Sequence, residues 1–233
     1  MIRIEKTEVV GWEHAIRGMR NPMNSWDKSD SYPAVDCGKC GKIEREGICR
    51  KEDRNCTWFY CYDIGFNDMG LMQKLAKAGT DHRKFMRMIV VYCDITAPLY
   101  WWKEFDTYKV GTVANSCSTM HRIHAKEFTL DDFSHEKLTH DGTECLCKVI
   151  EQLNFARMAF IESNEKGYFD EMIQLLPTSY NQKRTVMMNY EVLASIYNAR
   201  KNHKLDEWRE LCSWIDSLPY SFLMTGKGGE PDG

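Results

Sequence analysis

Between Thr112 and Arg122 the chain collects small side chains that can form hydrogen bonds: Thr112, Asn115, Ser116, Ser118 and Thr119. Lys103, Lys109, His121 and Arg122 flank them. Hydroxyls and carboxamides of this size bury little apolar area, so a core gains little from them. With their backbone amides they can donate several hydrogen bonds to phosphate oxygens, and the flanking cations supply matching charge. A phosphorylated ligand is the chemistry that fits. The stretch reads as a loop, entered from an apolar strand through an aromatic helix.

The elements that must position this loop follow from periodicity. Met88 to Ile95 is a near-continuous apolar run of strand length, which predicts a strand covered on both faces. Pro98 then opens a helix over Leu99 to Tyr108. Its Tyr100, Trp101, Trp102 and Phe105 offer a stacking surface for a flavin or folate, but helical spacing favours a core or a subunit interface. Upstream, residues 1–10 read as a strand and Trp12 to Arg20 as a helix ended by Pro22. Asn67 is a candidate N-cap and Gly79 a candidate stop for a helix whose Leu71, Met72, Leu75 and Ala76 share one face. Downstream, Thr129 to Asp132 has the pattern of a capping box, and Leu146, Val149, Ile150, Leu153 and Arg157 mark a long helix. Tyr168 to Leu176, Glu191 to Lys201 and Leu205 to Leu218 read as further helices, and Thr185 to Met188 as a short strand.

A chain of 233 residues can bury a large core, and a single domain over 1–225 is expected, with a cysteine-rich insertion at about 30–63 and a disordered tail at 226–233. The net charge of -3 argues against broad, charge-driven nucleic-acid binding. No apolar run approaches the roughly 20 residues that span a bilayer. The N-terminus alternates charged and apolar residues and lacks a secretory pattern, so a cytoplasmic protein is expected.

Ten cysteines in such a chain read as reduced thiols, with metal binding as the competing use. Within the insertion, Cys37 and Cys40 form a CxxC pair, and with Cys49 and Cys56 they could supply four thiolates to one zinc ion. A zinc ribbon ordinarily pairs two such knuckles. Only one is present, so a reduced loop is the alternative.

From Asp94 to His121 the chain resembles the flavin-dependent thymidylate synthases, whose signature is Arg-His-Arg-x-x-Ser-x-Asn-Glu-x-Ser-x-Arg-Tyr. The signature falls on Thr107-Tyr108-Lys109, Thr112, Asn115-Ser116, Ser118 and Met120-His121, with one extra residue at Ala114 and with Ala97-Pro98 ahead of it. His82 stands where the family has a histidine before its central strand. Leu176-Pro177, Asn189 and Arg200 follow at family spacing, so the resemblance runs from about Asn67 to Leu211. Thr107, Ser116 and Met120 replace charged signature residues, and Ile173 and Glu191 stand where the family has arginines. A hydrogen bond to a charged group contributes roughly 1.5–3 kcal/mol, so several losses need replacement cations. Arg83, Lys84 and Arg87 beside His82, and Lys103 and Arg122 beside the loop, are the candidates.

The resemblance implies an α+β fold, with a central mostly antiparallel sheet flanked by helices, and a homotetramer with shared active sites. It implies FAD as cofactor, NADPH and methylenetetrahydrofolate as co-substrates, no metal, and reductive methylation of dUMP to dTMP. His82, Thr107, Tyr108, Lys109 and Asn189 are the implied flavin contacts. Lys103, Glu104, Ser116, Ser118, His121 and Arg200 are the implied nucleotide contacts, with Arg200 and Ser118 the catalytic candidates. Cys117 is a neighbour of the site and not its nucleophile. Simpler readings stand beside these: His82 as a surface residue, Arg200 as a solvated helix arginine, Glu104 in a salt bridge with Lys103 or Lys109. Two other functions remain open. One is a non-catalytic nucleotide-binding or assembly protein, and the other a flavoenzyme acting on another pyrimidine nucleotide.

Overall fold

The computed structural model describes residues 2–35, 60–118 and 122–228. Arg3–Val10 forms β1, Trp12–Arg20 α1, Tyr32–Val35 β2, Tyr60–Asp63 β3 and Phe66–Lys77 α2. Val90–Pro98 (β4), Leu99–Phe105 (α3) and Thr112–Ser116 (β5) follow, then His140–Ser163 (α4), Lys166–Leu175 (α5) and Asn181–Asn189 (β6). Tyr190–Arg200 (α6), Asp206–Asp216 (α7) and Phe222–Thr225 (α8) complete an α+β chain. The main sheet has the order β1-β4-β6-β5, with β5 antiparallel to β6, and β2 and β3 pair as a separate antiparallel ribbon.

The chain divides into two compact units, one of residues 1–8, 91–188 and 196–218, the other of 9–90, 189–195 and 219–233. In the first, α3 and α7 bury an aromatic stack. Trp101 lies 4.9 Å from both Trp102 and Trp208 and 5.0 Å from Phe105, centroid to centroid, and all four rings are buried. Helix α4 packs on α5 through Leu146, Ile150, Leu153, Ala156 and Met172, joined by Ile123, Phe128 and Phe133. Its outer face leaves Phe155, Met158 and Ile161 exposed.

In the second unit a buried carboxylate organises the chain. Asp68 Oδ1 accepts from Arg20 Nε, and Oδ2 accepts from the Ser29 and Ser31 hydroxyls and from the backbone amides of Asp30 and Ser31. In return Asp30 accepts from the amides of Asn67 and Asp68, the first free donors of α2. Arg20 completes the cluster through the Ser25 and Lys28 carbonyls. Gly11 stands at φ +95°, and any Cβ there would overlap the Met88 carbonyl oxygen.

Several local expectations change. Thr112–Ser116, the first part of the polar stretch read as a loop, is the edge strand β5, because β6 extends from Asn181 and offers it a pairing partner. Side chains on both faces of β5 are exposed from Val113 to Ser116, so no alternation of polarity marks the strand. Helix α2 begins at Phe66, with Gly65 at the N-cap and Asp30 satisfying its amides, in place of an Asn67 cap. The capping box at Thr129 and Asp132 closes a 3-10 turn of its own, Leu130–Asp132, while α4 begins at His140 under a Thr139 cap. Helix α3 ends at Phe105. Tyr92 on β4 is exposed, so that strand is not covered on every residue. Cys37, Cys40, Cys49 and Cys56 lie outside the described residues, as does His121. Among the described residues no group of histidine, cysteine, aspartate and glutamate is placed to hold a metal ion, and no helix is long and apolar enough to cross a membrane.

Candidate functional site

Helix α3 buries Trp101, Trp102 and Phe105, and the helical period then turns Lys103 outward and leaves Glu104 at the edge of the stack, within reach of Trp208. Tyr100 anchors the helix to α7 through a hydrogen bond to the buried Glu207 carboxylate. Burial, that bond and the carboxylate charge together push the Tyr100 phenol pKa up, so it stays protonated.

Around Glu104 a polar cluster forms inside the first unit. Arg200, the last residue of α6, donates from Nη1 to Glu104 Oε2 at 2.9 Å and from Nε to the Tyr108 hydroxyl at 2.9 Å. Its guanidinium lies 4.4 Å from the Trp208 ring centroid and 5.8 Å from that of Tyr108. Trp208 Nε1 donates to the same Glu104 oxygen at 3.1 Å, and His203 Nε2 stands 3.7 Å from it. Glu104 therefore bridges to Arg200, where the simple reading has Lys103 or Lys109. The reason is geometric: the α7 tryptophan supplies a flat surface on which the guanidinium lies while it reaches α3.

Beside this cluster β5 carries Ser116 opposite Arg184 of β6, and pairing continues one residue further through Cys117 N–H to the Lys183 carbonyl. Ser116, Cys117 and Ser118 are exposed. The Thr112 hydroxyl is buried without a hydrogen-bond partner among the described residues. Arg184 pairs with Asp106 at 2.7 Å and lies 4.2 Å over the Trp102 ring. Thr107 donates its hydroxyl to the Glu104 carbonyl at 2.8 Å, so that side chain caps the end of α3. Lys103, Lys109 and Arg122 are exposed and carry no ion-pair partner among the described residues.

The second unit holds the remaining candidates. His82 is exposed in the turn after Gly79. Asn189 spends its carboxamide oxygen on the Val192 amide at 3.0 Å, at the start of α6. Arg83 pairs with Glu191, Nη2 to Oε1 at 3.0 Å. Lys84 and Arg87 stay exposed. The structure thus brings Glu104, Tyr108 and Arg200 together, and it places His82 and Asn189 in the other unit. Trp208 and His203 belong to no motif. Only the periodicity of Leu205 to Leu218 marks Trp208 as facing inward.

No family model matches this chain, and no curated protein matches it. Solved structures do. A flavin-dependent thymidylate synthase, ThyX from Helicobacter pylori, complexed with FAD and dUMP, superposes with a TM-score of 0.64 over 97% of this chain and 98% of that one, at 14% identity. A second structure of the same enzyme with FAD and dUMP gives a TM-score of 0.63 at 14% identity, with 97% and 98% covered. A UMP/dUMP methylase, PolB from Streptomyces cacaoi, bound with 5-Br dUMP, gives a TM-score of 0.56 at 11% identity, over 98% of this chain and 97% of that one. The chain has the fold of flavin-dependent thymidylate synthases. Within that fold, the cations that the sequence lacks at positions 173 and 191 are not restored in place. Ile173 packs against the apolar cluster of α4 and α5, and Glu191 takes its cation from Arg83.

Proposed function

We propose that this chain is a flavin-dependent methylase acting on a dUMP-like pyrimidine nucleotide, most simply the reductive methylation of dUMP to dTMP with methylenetetrahydrofolate and NADPH. The observation that carries the reading is the likeness over 97% of the chain to an enzyme holding FAD and dUMP. In this reading it works as a single-domain cytoplasmic homotetramer.

The donor set suits FAD. A flavin dinucleotide brings a diphosphate, and Lys103, Lys109 and Arg122 in the first unit are cations whose charge is not consumed by a partner among the described residues. His82, Thr107, Tyr108, Lys109 and Asn189 would hold the cofactor. Bound FAD would supply the hydride that reduces the transferred carbon to a methyl group. The protein's own task is binding and orientation. Lys103, Ser116, Ser118 and His121 would receive the nucleotide's phosphate and sugar, Arg200 would stabilise negative charge developing on a pyrimidine carbonyl, and Ser118 would supply a hydroxyl donor. Because Tyr108 and Glu104 already fix Arg200, that donor needs little reorganisation when charge appears.

A second reading is a nucleotide-binding or assembly protein without turnover. One observation favours it: Ile173 sits in an apolar cluster where the family's arginine serves the nucleotide. The same incubation decides between them. The purified chain should show flavin absorbance, run at four times its chain mass, and form dTMP from dUMP, methylenetetrahydrofolate and NADPH. Flavin and dUMP binding with no product would favour the second reading, with product from UMP alone pointing to another pyrimidine nucleotide. Absence of both flavin uptake and nucleotide binding sinks the proposal.

A further inference from the structure

Arg184 of β6 belongs to no motif, yet its guanidinium is held from three sides. Nε donates to Gln182 Oε1 at 3.0 Å, Nη1 donates to Asp106 Oδ1 at 2.7 Å, and the group lies 4.2 Å from the Trp102 ring centroid. Gln182 is itself buried and fixed: its Nε2 donates to the Cys117 carbonyl and its own carbonyl accepts from Trp102 Nε1, each at 2.9 Å. Arg184 Nη2 has no partner among the described residues. A guanidinium carries five N–H donors in one plane, so fixing Nε and Nη1 also aims Nη2.

Strand register decides where this cation stands. Arg184 is directly opposite Ser116 in the antiparallel pair of β5 and β6, so both side chains project from the same face of the sheet, with Cβ atoms about 4.5–5.5 Å apart. Ser116 is exposed, as are Cys117 and Ser118 after it. A preorganised guanidinium beside a hydroxyl, on an open edge strand, is a donor set for a phosphate. Asp106 opposes this only weakly: its side chain is 49% exposed against 15% for Arg184, so water screens the carboxylate. A phosphate oxygen can take its place at Nη1 while Trp102 and Gln182 keep the guanidinium where it is. Lys103 and Lys109, in contrast, are exposed and held by no ion pair among the described residues.

We propose that Arg184 is the cation that fixes the nucleotide's phosphate, with the Ser116 hydroxyl beside it and Asp106 as a counter-ion that the phosphate displaces. The inference rests on the nucleotide reading above and adds to it a residue that neither the signature nor its spacing marks. Arg184 is then specificity-determining, because a nucleoside without phosphate offers nothing that competes with Asp106 for the guanidinium.

The test uses the full-length, FAD-loaded protein with dUMP and deoxyuridine, titrated by calorimetry. Arg184→Gln should weaken dUMP about tenfold to a hundredfold and leave deoxyuridine within about twofold of the native value. Arg184→Lys should recover part of the loss, as a point charge without the planar fork. Asp106→Asn should act in the opposite direction and tighten dUMP about twofold to fivefold at low salt, because the competing carboxylate charge is gone. Equal binding of dUMP and deoxyuridine by the native protein overturns the inference, a result that needs no variant to fold. An Arg184→Gln loss as large for deoxyuridine as for dUMP would show a purely structural role and overturns it as well, as does Asp106→Asn weakening dUMP as much as Arg184→Gln. If the native protein takes up FAD but binds neither ligand, or takes up no FAD at all, the functional reading itself has failed, an outcome distinct from these.

Discussion

Arg83 holds Glu191 through both oxygens: Nη2 donates to Oε1 at 3.0 Å and Nε lies 2.8 Å from Oε2. Both side chains are largely buried, so removing one strands the other in a medium that solvates charge poorly. Exposed pairs contribute about 0.2–1 kcal/mol, and breaking buried ones costs about 3–5 kcal/mol. For this intermediate burial, Arg83→Ala and Glu191→Ala should each destabilise by about 2 kcal/mol, which for a chain of this size is a melting-point drop of about 4–8 °C. The exchange of both, Arg83→Glu with Glu191→Arg, should recover at least half of that loss. Melting curves of the two single variants and the exchange decide it, and an exchange no better than the worse single variant would show that the ion pair is incidental.

Asp68 sets the acid limit of the second unit. Burial raises its pKa, but the hydrogen bonds from Ser31, Ser29 and Arg20 and from the Asp30 amide outweigh burial and hold the carboxyl below its ordinary value. A folded pKa below the unfolded one contributes stability that is present above the unfolded value, about pH 4, and is lost as pH falls through the folded pKa. Asp68→Asn should therefore cost about 3–5 kcal/mol near pH 7, because Arg20 is left buried without a counter-charge. The penalty should narrow as pH falls below about 4. A variant whose deficit is the same at pH 7 and pH 3 would contradict this account.

How much of this was legible follows from where the signal resided. The long apolar periods of Met88 to Ile95 and Leu146 to Phe160 fix elements directly, since burial of one face or both leaves a repeat in the sequence. Strand β5 leaves none, because an edge strand takes its backbone bonds from β6 and lets Asn115 and Ser116 face solvent. The family spacing brought out Tyr108 and Arg200, which the structure joins at 2.9 Å. It did not reveal that Glu104 holds Arg200, because charge pairing between α3 and α6 depends on the flat face of Trp208 and on no local pattern. The Asp30 cap on α2 was hidden for the same reason: the donor amides and the accepting carboxylate are far apart in sequence.

Trp208 should couple stability to the Arg200 cluster. Its ring is fully buried, its Nε1 donates to Glu104, and the Arg200 guanidinium lies over its face. Trp208→Phe keeps an aromatic face but removes the N–H and part of the packed volume. A hydrogen bond to a charged group and the lost contacts together predict a cost of about 2–4 kcal/mol. Trp208→Ala should exceed it. Chemical denaturation of both variants tests the order, and a phenylalanine variant as stable as the native chain would remove the indole N–H from the account.

Lys109 is exposed and has no ion-pair partner among the described residues, so its charge acts on ligands through solvent and salt. Screening over about 8 Å at physiological ionic strength makes such attraction sensitive to salt, whereas the Glu104–Arg200 pair, already neutral, contributes little to it. Lys109→Ala should weaken binding of a phosphate-bearing nucleotide roughly twofold to fivefold at low salt, equivalent to about 0.5–1 kcal/mol. The gap should close as sodium chloride rises. Glu104→Gln should instead strengthen phosphate attraction at low salt by unmasking the Arg200 charge, giving a steeper salt dependence than the native protein. Dissociation constants for dUMP measured across a salt series separate the two, and parallel slopes for all three proteins would show that neither side chain shapes the field that the phosphate meets.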